Sequence, residues 1–403
     1  MKYTKEEVMQ FVNEEDVKFI RLAFCDVFGK QKNISIMPSE LSQAFEYGIA
    51  FDASAITGFG DETHSDLLLH PDPATLMILP WRPEHGKVVR MYTSITYPDG
   101  TPFECDTREI LKRAVREADA AGFSFGFGAE QEFYLFLTDE NGKPTNQPYD
   151  EAGYMDMAPD DKGENIRREI CLTLEQMGIS PESSHHEEGP GQNEIAFRYS
   201  DPLTAADNTM TFQTVVKTVA HRNGLYVDFS PKPMEHKPGN GFHIHVSVSP
   251  RDNPEWMHHM MAGVLNRIYE MTAFLNPTEN SYRRFGENKA PSYISWSEGN
   301  RSQLVRIPAS LPNSRHAELR SPDPMSNPYI AFALVIYAAL EGLRQKTALM
   351  PAADINFFHA NEETLKHFQR LPRTWEEACR AAFESNFILE HIPAKVIEIY
   401  CLR

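Results

Sequence analysis

The sequence predicts an α+β chain in two parts, from three observations. Short apolar runs broken by turn signals fill the first ~100 residues, a strong helical period begins at Asp106, and beyond it helix-period segments alternate with strands of period two. In the first part, Phe19–Phe24 and Ile34–Ile36 flank the turn Asp26-Val-Phe-Gly-Lys, and Val88–Thr96 runs into the turn Pro98-Asp-Gly. Asp106-Thr-Arg-Glu then opens a helix, an acidic cap preceding Ile110, Leu111, Ala114, Val115 and Ala118 on one face. The shift sets a boundary at 100–106 and two domains, 1–102 and 103–403. Further helices are expected near 164–177, 203–222, 253–275, 327–347 and 374–384, separating strands able to join in one large sheet.

Composition narrows the function. With 403 residues, 41% of them hydrophobic, the chain can bury a sizeable core. Against 57 Asp and Glu stand 39 Lys and Arg, a formal charge of −18, which argues against a nucleic-acid or anionic-membrane partner. A phosphate ligand stays compatible, because bound divalent metal reverses the local sign. The opening Met-Lys-Tyr-Thr-Lys-Glu-Glu has no apolar leader, and the longest apolar run, Tyr329 to Leu340, is too short to span a bilayer. Five scattered cysteines without CxxC spacing fit reduced thiols in a cytoplasm and argue against a thiolate zinc site.

The chemistry lies on the strands. Residues two apart share a face, which pairs Glu130 with Glu132, and aligns Gln192, Glu194 and Arg198. The same rule aligns His243, His245, Ser247 and Ser249, and then His316, Glu318 and Arg320. Any one of these alone reads as an ordinary half-polar strand with a solvated face. Their company points elsewhere: Gly239 and Gly241, and the run Glu188-Gly-Pro-Gly-Gln between Glu187 and Glu194, are places where backbone can approach a ligand. If the stripes converge, Glu130, Glu132, Glu187, Glu194 and Glu318 meet around His243. Carboxylates within ~5 Å of one another cannot all ionise without raised pKa values or a compensating cation. An oxygen-rich set with one imidazole suits Mg²⁺ or Mn²⁺ better than zinc, and two such ions suit phosphoryl transfer. Arg283, Arg284, Arg301, Arg306, Arg315 and Arg320 add guanidinium forks matched to carboxylate and phosphate, although Arg283 and Arg315 fit plain surface positions equally well. The layout is that of a site for an anionic nucleotide and a carboxylate substrate.

In order and spacing the motifs resemble the glutamine synthetase family over nearly the whole chain. They are Phe51-Asp-Ala-Ser-Ala-Ile, Gly128-Ala-Glu-Gln-Glu-Phe, His185-His-Glu with Gly191-Gln-Asn-Glu, Lys232-Pro-Met and Gly239-Asn-Gly-Phe-His-Ile-His. Asn280-Ser-Tyr-Arg-Arg, Asn300-Arg-Ser-Gln-Leu-Val-Arg-Ile-Pro, Glu318-Leu-Arg-Ser-Pro-Asp-Pro and Asn327-Pro-Tyr follow. The resemblance implies an N-terminal β-grasp domain and a catalytic domain whose curved antiparallel sheet forms a half-barrel backed by helices. It implies homo-oligomeric rings, commonly two stacked hexamers, with active sites between subunits. Carried over, Glu132, Glu187 and Glu194 would hold one metal, and Glu130, His243 and Glu318 the other. Arg284 and Arg320 would bind the glutamate carboxylates near the Gly239 backbone. Tyr199 would stack on adenine, while His245, Ser247, Arg301 and Arg306 would serve the nucleotide. Asp52 from an adjacent subunit would take a proton from ammonium. ATP, Mg²⁺ or Mn²⁺, glutamate and ammonia or a small amine are the implied cofactors and substrates.

Three positions depart from the family pattern. The loop Arg284-Phe-Gly-Glu-Asn-Lys-Ala-Pro is one residue short and carries Lys289 where the family has a glutamate that covers the intermediate. A lysine ~4 Å from an ammonium costs ~1 to 4 kcal/mol according to the effective dielectric. Glu287 could substitute for the missing glutamate, or Lys289 itself could act as base. His316 stands in place of a nucleotide-contacting arginine, and Pro238 in place of an asparagine near glutamate. At a place where some relatives carry a modifiable tyrosine, the chain reads Asn356-Phe-Phe-His. The expected function is therefore a glutamate–ammonia ligase, with a γ-glutamyl-amine ligase and a non-catalytic regulatory relative as alternatives.

Overall fold

A computed structural model describes residues 3–61, 63–82, 85–287, 289–309 and 315–402, and in it the chain builds two sheets. Among the described residues the first has six strands. Gln31–Ile36, Val17–Cys25, Lys87–Thr96, Asp66–Pro71 and Ile49–Asp52 lie in that spatial order, with Met77–Ile78 beside Lys87–Thr96. Val17–Cys25 and Lys87–Thr96 run parallel, the arrangement of a β-grasp, and the helix Leu41–Tyr47 lies on the connection between them. The N-terminal part holds more than the expected strands and turns. Helix Lys5–Glu14 opens on a capping box, in which Glu7 N donates to Thr4 Oγ1 at 3.2 Å and Thr4 N to Glu7 Oε2 at 2.7 Å. Val8 and Val12 fix it to the sheet.

The second sheet has nine strands among the described residues. Its order is Trp296–Glu298, Val305–Ile307, Ala317–Leu319, Phe242–Ser249, Ser124–Thr138, Gln192–Ser200 and Pro181–His186, with Leu225–Asp228 and Pro144–Pro148 also on Ser124–Thr138. It curls into a half-barrel. The strands with polar stripes are its middle rather than its edge, and Phe242–Val248 is buried throughout. Helices Glu164–Gln176, Pro202–Arg222, Glu255–Leu275, Pro328–Gln345 and Trp375–Glu384 form close to where the apolar period sets them, with Thr107–Ala120 before them.

Pro328–Gln345 explains the long apolar run: it is buried on nearly every side, and Phe332 stacks on Phe127 of the sheet with ring centroids 4.4 Å apart. Glycines let it approach Glu255–Leu275 closely, since a Cβ at Gly263 would lie 2.0 Å from the Ala338 carbonyl oxygen. No helix among the described residues is long and apolar enough to cross a membrane.

A buried ionic network ties the two sheets together. Arg108 donates through Nε and Nη2 to both carboxylate oxygens of Asp207 at 3.0 and 2.9 Å, and through Nη2 to Asp72 Oδ2 at 2.9 Å. Tyr329 adds its hydroxyl to Asp207 Oδ1 at 2.6 Å, and Asn327 Nδ2 donates to the Val27 carbonyl at 3.0 Å.

Candidate active site

Strand register brings the polar stripes into contact. On Ser124–Thr138, Glu130 stands opposite His243 and Glu132 opposite Glu194, while His245 faces Glu318 and Glu194 faces His185 on the next strands out. Gln131, between the two glutamates, points the other way and is fully buried. His243 Nδ1 lies 3.4 Å from Glu130 Oε2 and 3.6 Å from Glu318 Oε1, and its Nε2 lies 4.0 Å from Glu132 Oε1. His245 Nε2 is 3.0 Å from Glu130 Oε1, so this side chain touches the carboxylate cluster itself. Single ligand atoms of Glu130, Glu194 and His243 lie within 4.8 Å of one another, as do those of His185, Glu187 and Glu194.

The cluster carries the expected electrostatic signature. Burial, reinforced by the charges of Glu132 and Glu194, pushes the Glu187 carboxyl up to about 8. Burial likewise raises Glu132, with His243 opposing and Glu194 adding to the shift. On the far side burial works against ionised Glu318, yet His243, His245, Arg320 and Arg306 outweigh it and hold that carboxyl at about 2. Glu130 is similarly held well below the usual range, His245 and His243 overcoming its burial. One end of the cluster is thus charge-balanced by protein cations, and the other has an excess of carboxylate. Hard oxygen donors with an imidazole fit Mg²⁺ or Mn²⁺ there.

Two arginines flank the cluster. Arg284 is buried against the Gly239 backbone, and its donors go to the Ser321 and Arg320 carbonyls at 2.8 and 3.2 Å rather than to a carboxylate. A Cβ at Gly239 would lie 2.8 Å from Arg284 Cγ and 2.4 Å from the Pro231 carbonyl oxygen, so only glycine fits. Arg320 Nε donates to Glu318 Oε1 at 3.1 Å, and its Nη1 donates to the carbonyls of Lys289 and Arg301. One cavity is lined by Glu132, Glu187, Glu194, Gly239, His243, Arg284, Lys289, Arg301 and Arg320 together.

Beyond the cluster lies an aromatic shelf. Tyr199, 37% exposed, has its ring centroid 5.3 Å from His316 and 6.2 Å from His245. Ser247 lies on the same face, and Arg306 is held by Glu318 at 2.5 Å. Arg283 and Arg315 are exposed and paired with Glu235 and Glu298.

The three residues expected to handle the amine lie in different places. Glu287 Oε2 is paired with Lys232 Nζ at 2.9 Å and is not part of the cavity lining. Lys289 reaches the cavity mouth and pairs with Glu188. Asp52 is exposed at the end of the half-buried strand Ile49–Asp52, accepts from Ser54 N and Oγ at 2.9 and 2.7 Å, and is likewise absent from the lining of its own chain's cavity.

A second acidic group, Asp150, Asp161 and His186, is buried beside the site. Its atoms already have partners: Arg167 holds Asp161, and backbone N–H groups of Gly191, Lys162 and Gly163 donate to Asp150. His186 bridges Asp150 Oδ1 at 2.9 Å and the Glu187 carbonyl at 2.7 Å, which anchors the segment bearing Glu187.

Family models described as glutamine synthetase, β-grasp domain, and glutamine synthetase, catalytic domain, match residues 16–98 and 104–402. The chain belongs to the glutamine synthetase family. It is similar to the glutamine synthetase of Methanosarcina mazei, 42% identical over 98% of this chain and 92% of the relative, and to that of Clostridium saccharobutylicum, 43% identical over 94% and 88%. Among solved structures it is similar to the GmaS/ADP complex in its first conformation, with a TM-score of 0.87 and 26% identity over 97% of this chain and 93% of that one. It is also similar to apo GmaS without ligand, with a TM-score of 0.86.

As a glutamine synthetase family member the chain is a ligase-type enzyme with nucleotide and divalent metal use. Sequence reasoning gave no individual role to Tyr154, Glu188 or Lys232. Tyr154 and Glu188 line the cavity, and Lys232 holds Glu287. Of these, Glu188, next to Glu187 in a glycine-rich run, and Lys232, at the head of the Lys232-Pro-Met motif, left signals that could have been followed.

Proposed function

We propose that this chain is a glutamate–ammonia ligase that forms γ-glutamyl phosphate from glutamate and ATP and couples it to ammonia. The observation carrying the reading is the convergence of Glu130, Glu132, Glu187, Glu194 and Glu318 on His243, in one cleft with the buried Arg284 and Arg320. Glutamine synthetases at 42–43% identity over most of the chain support the substrates, and a relative solved as an ADP complex supports the nucleotide.

Glu132, Glu187 and Glu194 would hold one divalent ion, and Glu130, His243 and Glu318 the other. Bound there, the metal supplies neutralisation and orientation of the phosphate oxygens. Arg284 and Arg320 would clamp the carboxylates of glutamate beside the Gly239 backbone, and Tyr199 would stack on adenine. His245, Ser247, Arg301 and Arg306 would contact the nucleotide and its phosphates. The γ-carboxylate oxygen then bonds to the γ-phosphorus as the bond to ADP breaks, with guanidinium groups stabilising the spreading charge. An amine nitrogen next attacks the acyl carbon and inorganic phosphate leaves. Asp52 would accept the amine's proton from a neighbouring copy in a homo-oligomeric ring, a dodecamer of two hexamers, which fits its exposed position away from its own cavity. Free thiols at all five cysteines fit a reducing compartment such as the cytoplasm.

A γ-glutamyl-amine ligase is the second reading, favoured by one observation: Lys289 is at the cavity mouth, and Lys232 engages Glu287. Phosphate release from ATP with Mg²⁺ and glutamate, under ammonium or a panel of alkylamines and polyamines, separates the two. Glutamine formed with ammonium supports the first, and turnover only with a larger amine supports the second. Silence with every amine, despite ATP and metal binding, would reject both and leave a regulatory relative.

A further inference from the structure

Glu187 and Glu194, two of the three side chains assigned to one metal ion, stand on opposite flanks of a single loop. Strands Pro181–His186 and Gln192–Ser200 pair antiparallel with His186 opposite Asn193, and Glu187 begins the connection between them. When ionised, Glu132, Glu187 and Glu194 repel one another, so without a cation they push the flanks apart. Asp150 opposes this. Only 4% exposed, it takes a donor from each flank on the same oxygen, with Gly191 N and His186 Nε2 both 2.9 Å from Oδ1. His186 is fully buried, and its Nδ1 lies 2.7 Å from the Glu187 carbonyl, so the grip reaches the backbone of the ligand residue itself. Asp150 Oδ2 accepts from Lys162 N and Gly163 N at 3.1 and 3.3 Å, which ties the loop to the start of helix Glu164–Gln176. Gly191 takes a φ of 69°, and a Cβ there would lie 2.7 Å from the Leu135 carbonyl oxygen, so a side chain is excluded at the gripped position.

We propose that Asp150 is a positioning residue: acting through His186 and Gly191, it sets the separation of Glu187 and Glu194, and with it the affinity of the divalent ion they share with Glu132. The role rests on the metal assignment within the ligase reading. Glu130, His243 and Glu318 need no such support. They lie within paired strands, Glu130 opposite His243 and Glu318 opposite His245, where the ladder itself fixes their spacing. Asp150 therefore acts on one ion and not on the other. Arg167 does not replace it. Its Nη1 donates to Asn193 Oδ1 at 2.6 Å, and Asn193 Nδ2 donates to the Gly191 carbonyl at 2.9 Å, which steadies the Glu194 flank and leaves Glu187 to Asp150 and His186.

The test is Mn²⁺ binding to the metal-free full chain, followed by electron paramagnetic resonance. The wild type should take up two ions. Asp150→Asn keeps the size of the side chain but must turn its amide donor toward one of the two pairs of N–H groups. One ion should then bind about tenfold more weakly, the scale of lost outer support at a metal site, while the other is unchanged. Adding Asp150→Asn to Glu187→Gln should weaken binding little further, because the residue being positioned is already gone. Asp106→Asn, at an equally buried carboxylate that caps helix Thr107–Ala120, reports the effect of lost stability alone and should leave both ions unchanged. Unchanged binding in Asp150→Asn, an equal loss at both ions, or a full tenfold loss on top of Glu187→Gln would overturn the proposal. A wild type that binds fewer than two ions would overturn the metal assignment with it. Selective loss of one ion, without turnover on any amine, would instead reject the ligase reading and leave the positioning role standing.

Discussion

At Gly128 the absence of a side chain keeps the Tyr199 shelf, the proposed adenine site, in place: a Cβ there would lie 2.7 Å from Tyr199 Cε2. Gly128→Ala must turn or push the ring, so KM for ATP should rise about tenfold, the loss of roughly one base–aromatic contact. Steady-state kinetics at saturating glutamate read this, and an unchanged KM would remove Tyr199 from the adenine site. Glu187 supplies a prediction in pH. Its carboxyl is raised from 4.5 to about 8, so between these values the folded metal-free protein keeps a proton that the unfolded chain has released. Stability of the metal-free protein therefore falls as pH rises across that window, and metal, which needs the ionised form, restores it. The rise in Tm on adding Mg²⁺ should be larger at about pH 8.5 than at about pH 6; equal shifts would contradict the assignment. The paired glutamates were legible because a strand has period two, and that period alone sets Glu130 beside Glu132. Tyr154 was not, because a loop distant in sequence from those strands brings it to the site and no periodicity records that meeting.

At the scale of elements, long periodic segments were the legible ones. Pro202–Arg222 and Glu255–Leu275 each run for 21 residues, and their apolar positions repeat often enough to declare a helix. Pro181–His186 and Pro144–Pro148 were missed because their residues are largely polar and their strands are defined by pairing partners, not by alternation. Helix Lys5–Glu14 was missed although its capping box stands in the sequence. The Arg108–Asp207 pair, which joins the helices Thr107–Ala120 and Pro202–Arg222 and draws in Asp72 of the first domain, could not be read at all, since only burial makes it consequential. Asp207→Ala leaves the buried Arg108 with Asp72 alone and should cost about 3–5 kcal/mol. Chemical denaturation measures it, and a loss below about 1 kcal/mol would mean the network is solvated rather than buried.

For the molecule as a whole, the proposed metal ligands all lie on one chain, whereas Asp52, the proposed proton acceptor, is absent from that chain's cavity lining. If a neighbouring copy supplies it, Asp52→Ala and Arg320→Ala chains, each inactive alone, should regain activity when co-assembled, because some sites then combine an intact Asp52 with an intact Arg320. No recovery in verified mixed oligomers would place the whole reaction within one chain. The measurement bearing most directly on the account follows oxygen. Glutamate labelled with ¹⁸O in its γ-carboxylate is incubated with ATP, Mg²⁺ and whichever amine supports turnover, and the released phosphate is analysed by mass. An acyl phosphate intermediate predicts one ¹⁸O in each phosphate formed. Phosphate without the label would mean that water, not the glutamate carboxylate, attacks ATP, and the ligase account would be wrong.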